Sequence, residues 1–161
     1  MNADLTSPLV VVLPLAAFML LFFAALFLVL RRMQKRQAAA VLKRFEGHNL
    51  RMFSSNANYF GLLSRGRRQL RGNGVLALSD DGLFFQLRLS RNRIEIAPEK
   101  IKGVSSPRIF RLRSILRPLL RVDFINEHGR PDAAAWYVEN LSEWKAAIEN
   151  IKVENTARSG D

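Results

Sequence analysis

The chain is 161 residues long, holds no Cys, and carries 25 Lys and Arg against 14 Asp and Glu, a formal net charge of +11. The lack of Cys excludes a disulfide framework and a thiolate metal site, and it fits a reducing cytoplasm. The basic excess suits an anionic lipid surface or a nucleic acid.

Residues 9–30 carry no charged side chain, and Arg31, Arg32, Lys35 and Arg36 follow directly. A helix crosses the hydrocarbon core with about 20 apolar residues, and Pro14 lies near the start of the run, where a membrane helix tolerates it. A buried helix of a soluble protein would show a polar face. A cleaved signal peptide would start basic and end at a small-residue site. This run starts from Met1, Asn2, Ala3 and Asp4 and ends in Leu28, Val29, Leu30 and Arg31. The reading is therefore a single-pass anchor. Basic residues flank only its C-terminal end, which places that end in the cytoplasm. Residues 1–8 are expected outside, 9–30 across a plasma (inner) membrane, and the rest inside. With a bilayer adjacent, anionic lipid explains the charge more simply than nucleic acid, and no nucleic-acid partner is expected. The charge is also uneven: acids are sparse from Arg31 to Arg121 and outnumber bases from Val122 onward.

Residues 31–47 read as a juxtamembrane helix or linker of good helix formers, ending near Gly47. Residues 48–152 then form one domain. Its first strand is predicted at Tyr59–Leu63, followed by a basic turn around Gly66 and a second strand over Leu70–Leu78, where Gly72 and Gly74 suggest a bulge. Asp80, Asp81 and Gly82 mark a hairpin turn. In Leu83–Leu89, Leu83, Phe85, Leu87 and Leu89 share one face, and Phe84, Gln86 and Arg88 share the other; this is the period of a half-buried strand. Arg93–Ala97 and Ile101–Ser105 follow, joined by a corner at Pro98. Residues 107–117 break the rhythm. Leu119–Ile125 points Leu120, Val122 and Phe124 inward. After a turn at Asn126–Gly129 comes a last strand, Ala133–Val138. Asn140 and Glu143 resemble a capping box, and Leu141, Trp144, Ile148 and Ile151 form one helical stripe. Residues 153–161 are expected to form a flexible tail.

The fold class is thus an N-terminal transmembrane helix followed by an α+β, mainly antiparallel β, domain of seven short strands closed by one helix. Over roughly residues 57–152, the segments GVLALSDDGLFF, RIEIAPEKIKGV, LLRVDFINEHG, AAAWYVEN and LSEWKAAIENI resemble the pleckstrin-homology-like (PH-like) superfold, including GRAM and bacterial PH-like modules. That resemblance implies a small barrel with a C-terminal capping helix, and a role in binding lipid headgroups or docking proteins.

Two basic clusters are candidate binding residues. Arg65, Arg67, Arg68 and Arg71 occupy the turn after the first strand. In lipid-binding PH domains the corresponding loop grips phosphates, a task suited to the planar donor fork of Arg. Here the run is all Arg and departs from the usual basic spacing, and a solvated charged turn is the competing reading. Arg108, Arg111, Arg113 and Arg117 are interleaved with Ile109, Phe110, Leu112, Ile115 and Leu116. That pattern suits a bilayer interface, a barrel-completing strand, or a docking patch for another membrane protein. His48 and His128 lie in unrelated contexts, and no catalytic motif occurs. No enzyme activity, metal or cofactor is expected. The function expected is a membrane-anchored, non-catalytic module that binds anionic lipid headgroups, a partner protein, or both. The alternative is an accessory or scaffold subunit of a membrane complex without lipid selectivity.

Overall fold

A computed structural model describes residues 8–66, 69–88, 90, 92–110, 113–114 and 116–158. They divide between two units, Met1–Gln37 and Ala38–Asp161. The first unit is the greater part of helix α1, Pro8–Arg44, which continues unbroken through Pro14. From Val12 onward this unit's Leu, Val and Phe side chains are exposed on every side. By length and composition it is able to cross a membrane, and a helix apolar all round without protein cover is poorly matched to water.

The second unit is built on a seven-stranded antiparallel open sheet. Its strands are β1 (Leu50–Leu62), β2 (Gly72–Ser79), β3 (Gly82–Leu87), β4 (Arg93–Ile96), β5 (Ile101–Ser105), β8 (Leu120–Ile125) and β9 (Pro131–Tyr137), in the order β4-β3-β2-β1-β9-β8-β5. Two meanders are therefore joined where β1 pairs with β9, from Asn58 opposite Tyr137 to Leu62 opposite Ala134. A separate hairpin, β6 (Ile109–Phe110) and β7 (Arg113–Ser114), lies between β5 and β8. Helix α2 (Leu141–Arg158) closes the unit.

The main core lies between the sheet and α2. Leu76, Leu83, Phe85, Leu120, Val122 and Trp136 meet Trp144, Ile148 and Ile151 there. Full burial of such side chains contributes about 1.5–3 kcal/mol each. The inward set Leu120, Val122 and Phe124 and the α2 stripe are as the periodicity predicts.

Four features differ from the sequence reading. The first strand begins at Leu50, not Tyr59, because bulges at Leu50/Met52 and Ser54/Ala57 reset its register and hide the alternation. Strand β3 is buried on both faces: Phe84 packs with Val41, Val75 and Ala77, and with the half-buried Phe45 and Phe53. The last turns of α1 thus cover a face that alternation assigned to solvent. At the start of α2, Asn140 has a left-handed φ of 54°. Its side-chain amide meets the Glu143 carboxylate at 3.4 Å, while its carbonyl accepts from the backbone N–H groups of Glu143 and Trp144. This replaces the reciprocal capping box. Finally, α2 remains helical through Arg158, into the segment read as a tail.

That last turn is tied down. Arg51 of β1 donates through Nε to Asp80 Oδ1 at 2.6 Å and through Nη1 to Glu154 Oε1 at 2.9 Å, and its Nη2 also bonds Glu154 Oε2. One guanidinium therefore joins β1, the β2–β3 turn and α2. Hydrogen bonding to Arg51 holds both carboxyls below their ordinary range, and the two carboxylates raise Arg51 in turn.

Candidate functional site

The loop after β1 is shaped by side chains that take the place of strand partners. Gln69 Oε1 accepts from the Leu62 N–H at 2.8 Å, and Gln69 Nε2 donates to the Leu62 carbonyl at 3.0 Å and the Gly66 carbonyl at 2.8 Å. Gly61 makes this possible. It stands at a bulge with φ +125°, and a Cβ there would lie 2.7 Å from Gln69 Nε2. On the other side, Asp132 of β9 accepts from the Ser64 N–H at 2.9 Å, from the Ser64 hydroxyl at 2.5 Å and from the Ala133 N–H at 2.8 Å. Arg65 follows the residue so held.

Opposite this loop, the Leu87 N–H donates to the Asn92 carbonyl at 3.1 Å and the Asn92 N–H to Ser90 Oγ at 3.1 Å, which fixes the β3–β4 turn. Between the two loops opens a cleft of about 340 Å³. Arg65, Arg93, Gln69 and Asn92 form its polar lining, over an apolar floor that includes Tyr59 and Phe85. The cleft holds two guanidinium groups and two amides, with no carboxylate in its lining. Guanidinium forks match the oxygens of a phosphate or carboxylate, and the Asn92 amide adds a donor, whereas both Nε2 hydrogens of Gln69 are taken by the Leu62 and Gly66 carbonyls. Arg93 Nε also lies 3.4 Å from Glu95 Oε1, to which Arg44 donates at 3.0 Å, so Arg65 is the less neutralised of the pair. A neighbouring cleft of about 200 Å³ shares Arg65 and Arg93 but adds Lys100 and His128 together with Glu95, Glu127 and Asp132. Its mixed signs suit an anion less well.

The predicted site residues fall in different places. Arg65 lines the cleft. Arg67, Arg68 and Arg111 lie outside the described residues. Arg71 is half-buried just before β2. Arg108 is exposed, and Arg113 belongs to β7, with its side chain outside the description. Phe110 is buried, packed with Phe60, Leu119, Ala133 and Ala135, so it completes the core instead of presenting a surface. Arg117 donates to Tyr137 Oη at 2.7 Å and lies 5.8 Å from the centre of that ring. Arg31, Arg32, Lys35 and Arg36 are exposed on α1. The structure does not join the two Arg clusters in one cleft among the described residues; it pairs Arg65 with Arg93 instead. Arg93, Gln69, Asn92 and Asp132 escape a reading by sequence. Only Asp132 carried a signal, an acid set in an apolar strand.

A third cleft, of about 560 Å³, runs beside β1 from Met52 to Asn56. Tyr137, Glu139, Asn140 and Trp144 form its far wall. Along this stretch β1 is paired with β2 but not with β9, whose pairing begins at Asn58. Arg88 reaches Asn56 Oδ1 at 3.2 Å, and burial lowers its affinity for its proton. His48 Nδ1 lies 2.5 Å from Asp81 Oδ2 at the surface. No group of three His, Cys, Asp or Glu side chains able to hold a metal occurs among the described residues. No protein-family model matches the chain, and no curated protein sequence matches it.

Proposed function

We propose that the chain is a single-pass membrane protein whose second unit is a PH-like, non-catalytic module that binds anionic lipid headgroups at the cytoplasmic face of a plasma (inner) membrane. The observation that carries this reading is the cleft between the β1–β2 loop and the β3–β4 turn, with Arg65 and Arg93 in its wall and no carboxylate in its lining. Further support comes from the apolar helix with its basic flank and from the net charge of +11. Near a membrane each Lys or Arg adds about 1 kcal/mol of attraction to anionic lipid. The antiparallel sheet and the closing helix are what the PH-like resemblance leads one to expect, although the sheet is open where the resemblance implied a barrel.

The test is a titration of the full chain in detergent with short-chain phosphatidylglycerol and, separately, phosphatidylcholine at low salt. The expected result is a preference for phosphatidylglycerol that falls by about 2 kcal/mol in the Arg65→Gln/Arg93→Gln variant. Equal binding of the two lipids overturns the reading.

A second reading, a docking subunit of a membrane complex without lipid selectivity, is favoured by the third cleft. There β1 has a strand neighbour on one side only, the kind of edge to which an extended partner segment adds. Affinity purification from solubilised membranes, with the lipids and proteins of the eluate both identified, separates the two readings.

A further inference from the structure

We propose that the β6–β7 hairpin is a wedge for an anionic bilayer leaflet, with Ile109 and Leu116 entering the interface and Arg108 and Arg117 at headgroup level. This rests on the anionic-lipid reading above and adds to it the element that inserts.

Ile109 is 61% exposed and Leu116 is 90% exposed, the highest value for any large apolar side chain among the described residues. Each of the two has a chain neighbour that is fixed in place. Phe110, next to Ile109, is buried against Phe60, Ala133 and Ala135. Arg117, next to Leu116, is fixed to Tyr137 by a hydrogen bond and by stacking. The base of the excursion is closed by the Leu119 N–H donating to the Pro107 carbonyl at 2.8 Å. Each exposed apolar residue is therefore next to a pinned one and held outward.

Leu116 also has a φ of +60°. A leucine in the left-handed region is strained, and its full exposure to water is unfavourable as well. Both costs fall on one residue. Removal of that side chain from water offsets the second.

Charge names the surface that would receive it. No acid occurs between Glu99 and Asp123, while Arg108, Arg111, Arg113 and Arg117 all do. Apolar side chains flanked by Arg match an interface with anionic headgroups, where the Arg stems lie along apolar surface and their charges stay wet.

The absence of Cys makes the test direct. Single cysteines are introduced in the full chain as Ile109→Cys, Leu116→Cys, Asn92→Cys in the cleft and Val153→Cys on α2, an exposed apolar control. The chains are reconstituted in phosphatidylcholine nanodiscs with or without phosphatidylglycerol. The rate of reaction with a charged, membrane-impermeant maleimide is then measured. The thiols at 109 and 116 are expected to react about tenfold more slowly in the anionic discs, with 153 unchanged. Equal rates at 109 and 116 in the two kinds of disc overturn the wedge. If 92 alone slows, the wedge fails and the headgroup cleft stands. If none slows, both readings fail. If 109 and 116 slow and 92 does not, the wedge holds and the cleft reading fails. Ile109→Cys lies in regular strand and supplies the result should Leu116→Cys not fold.

Discussion

Asp132 and Ser64 meet twice: one carboxylate oxygen accepts the Ser64 N–H and the other accepts its hydroxyl. The pair joins β9 to the loop that carries Arg65, and it puts an acid, 5% exposed, in the lining of the neighbouring cleft that shares Arg65 and Arg93. Removal of the carboxylate takes the acceptor from the buried Ala133 N–H and from the part-buried Ser64 donors, which costs about 1–3 kcal/mol. Asp132→Ala is thus expected to lower stability by that amount in chemical denaturation. The same change makes the chain more positive. If charge alone governed the cleft, anionic lipid would bind Asp132→Ala more tightly. Because Asp132 positions the loop, weaker binding is expected, and lipid titration reads the sign directly.

The Arg51–Asp80–Glu154 cluster predicts how stability depends on pH. Both carboxyls are held below their ordinary values of 3.8 and 4.5 by hydrogen bonds from Arg51. A carboxyl with a depressed folded value favours the folded state fully above its unfolded value, and that contribution is lost as pH falls through the folded value. The raised Arg51 lies above any working pH and adds no second window. Arg51→Met should therefore melt below the wild type at neutral pH, and the gap should close as pH falls below about 4. A gap that stays constant across the acid range would show that Arg51 acts by packing alone. All three side chains are partly exposed, so added salt should narrow the gap at neutral pH.

Trp144 tests whether α2 is integral to the sheet unit. Its side chain is 2% exposed, in the same cluster as Ile148, Ile151 and Trp136. Truncation of a buried aromatic costs about 3–5 kcal/mol, and Trp144→Ala is expected to fall in that range by denaturant unfolding. A loss below about 1 kcal/mol would mean that the sheet holds its core without the helix.

The legibility of these elements in the sequence follows their physics. Strand β8 and helix α2 could be read because each buries one face, so their apolar periods of two and about 3.6 stand clear. The first half of β1 could not, because its two bulges put Leu50 and Phe53 on one side and Met52 and Ala57 on the other, without alternation. Phe84 looked solvent-facing because the cover over it, Val41 and Phe45, lies in a segment whose own pattern reads as a linker. The hairpin was ambiguous for the reason that makes it of interest: in RIFRLRSILR a buried Phe110 and exposed Ile109 and Leu116 are chemically alike. The cleft was legible only through Arg65. Gln69 acts through side-chain bonds to the Leu62 and Gly66 backbone, and Asn92 through bonds of its own backbone to Leu87 and Ser90, and no apolar period records either.

Orientation is the remaining prediction. Arg31, Arg32, Lys35 and Arg36 follow the apolar run, and residues 1–8 hold no Lys or Arg. Lys and Arg close to a span resist translocation, whereas Asp4 contributes little. A reporter fused after Asp161 should therefore be active if it is one that works in the cytoplasm, and silent if it needs export. The four bases are the cause under this account, so replacing all four by Gln and adding Lys at positions 2 and 4 should move a measurable fraction of the chains to the opposite topology. An exported reporter active on the unaltered chain would overturn the orientation. A tag at the N-terminus that separates from the membrane fraction would instead mean that the apolar run is cleaved. If the tag stays in the membrane and the exported reporter is silent, the anchor and its direction are both established, and the lipid experiments above then concern the cytoplasmic leaflet.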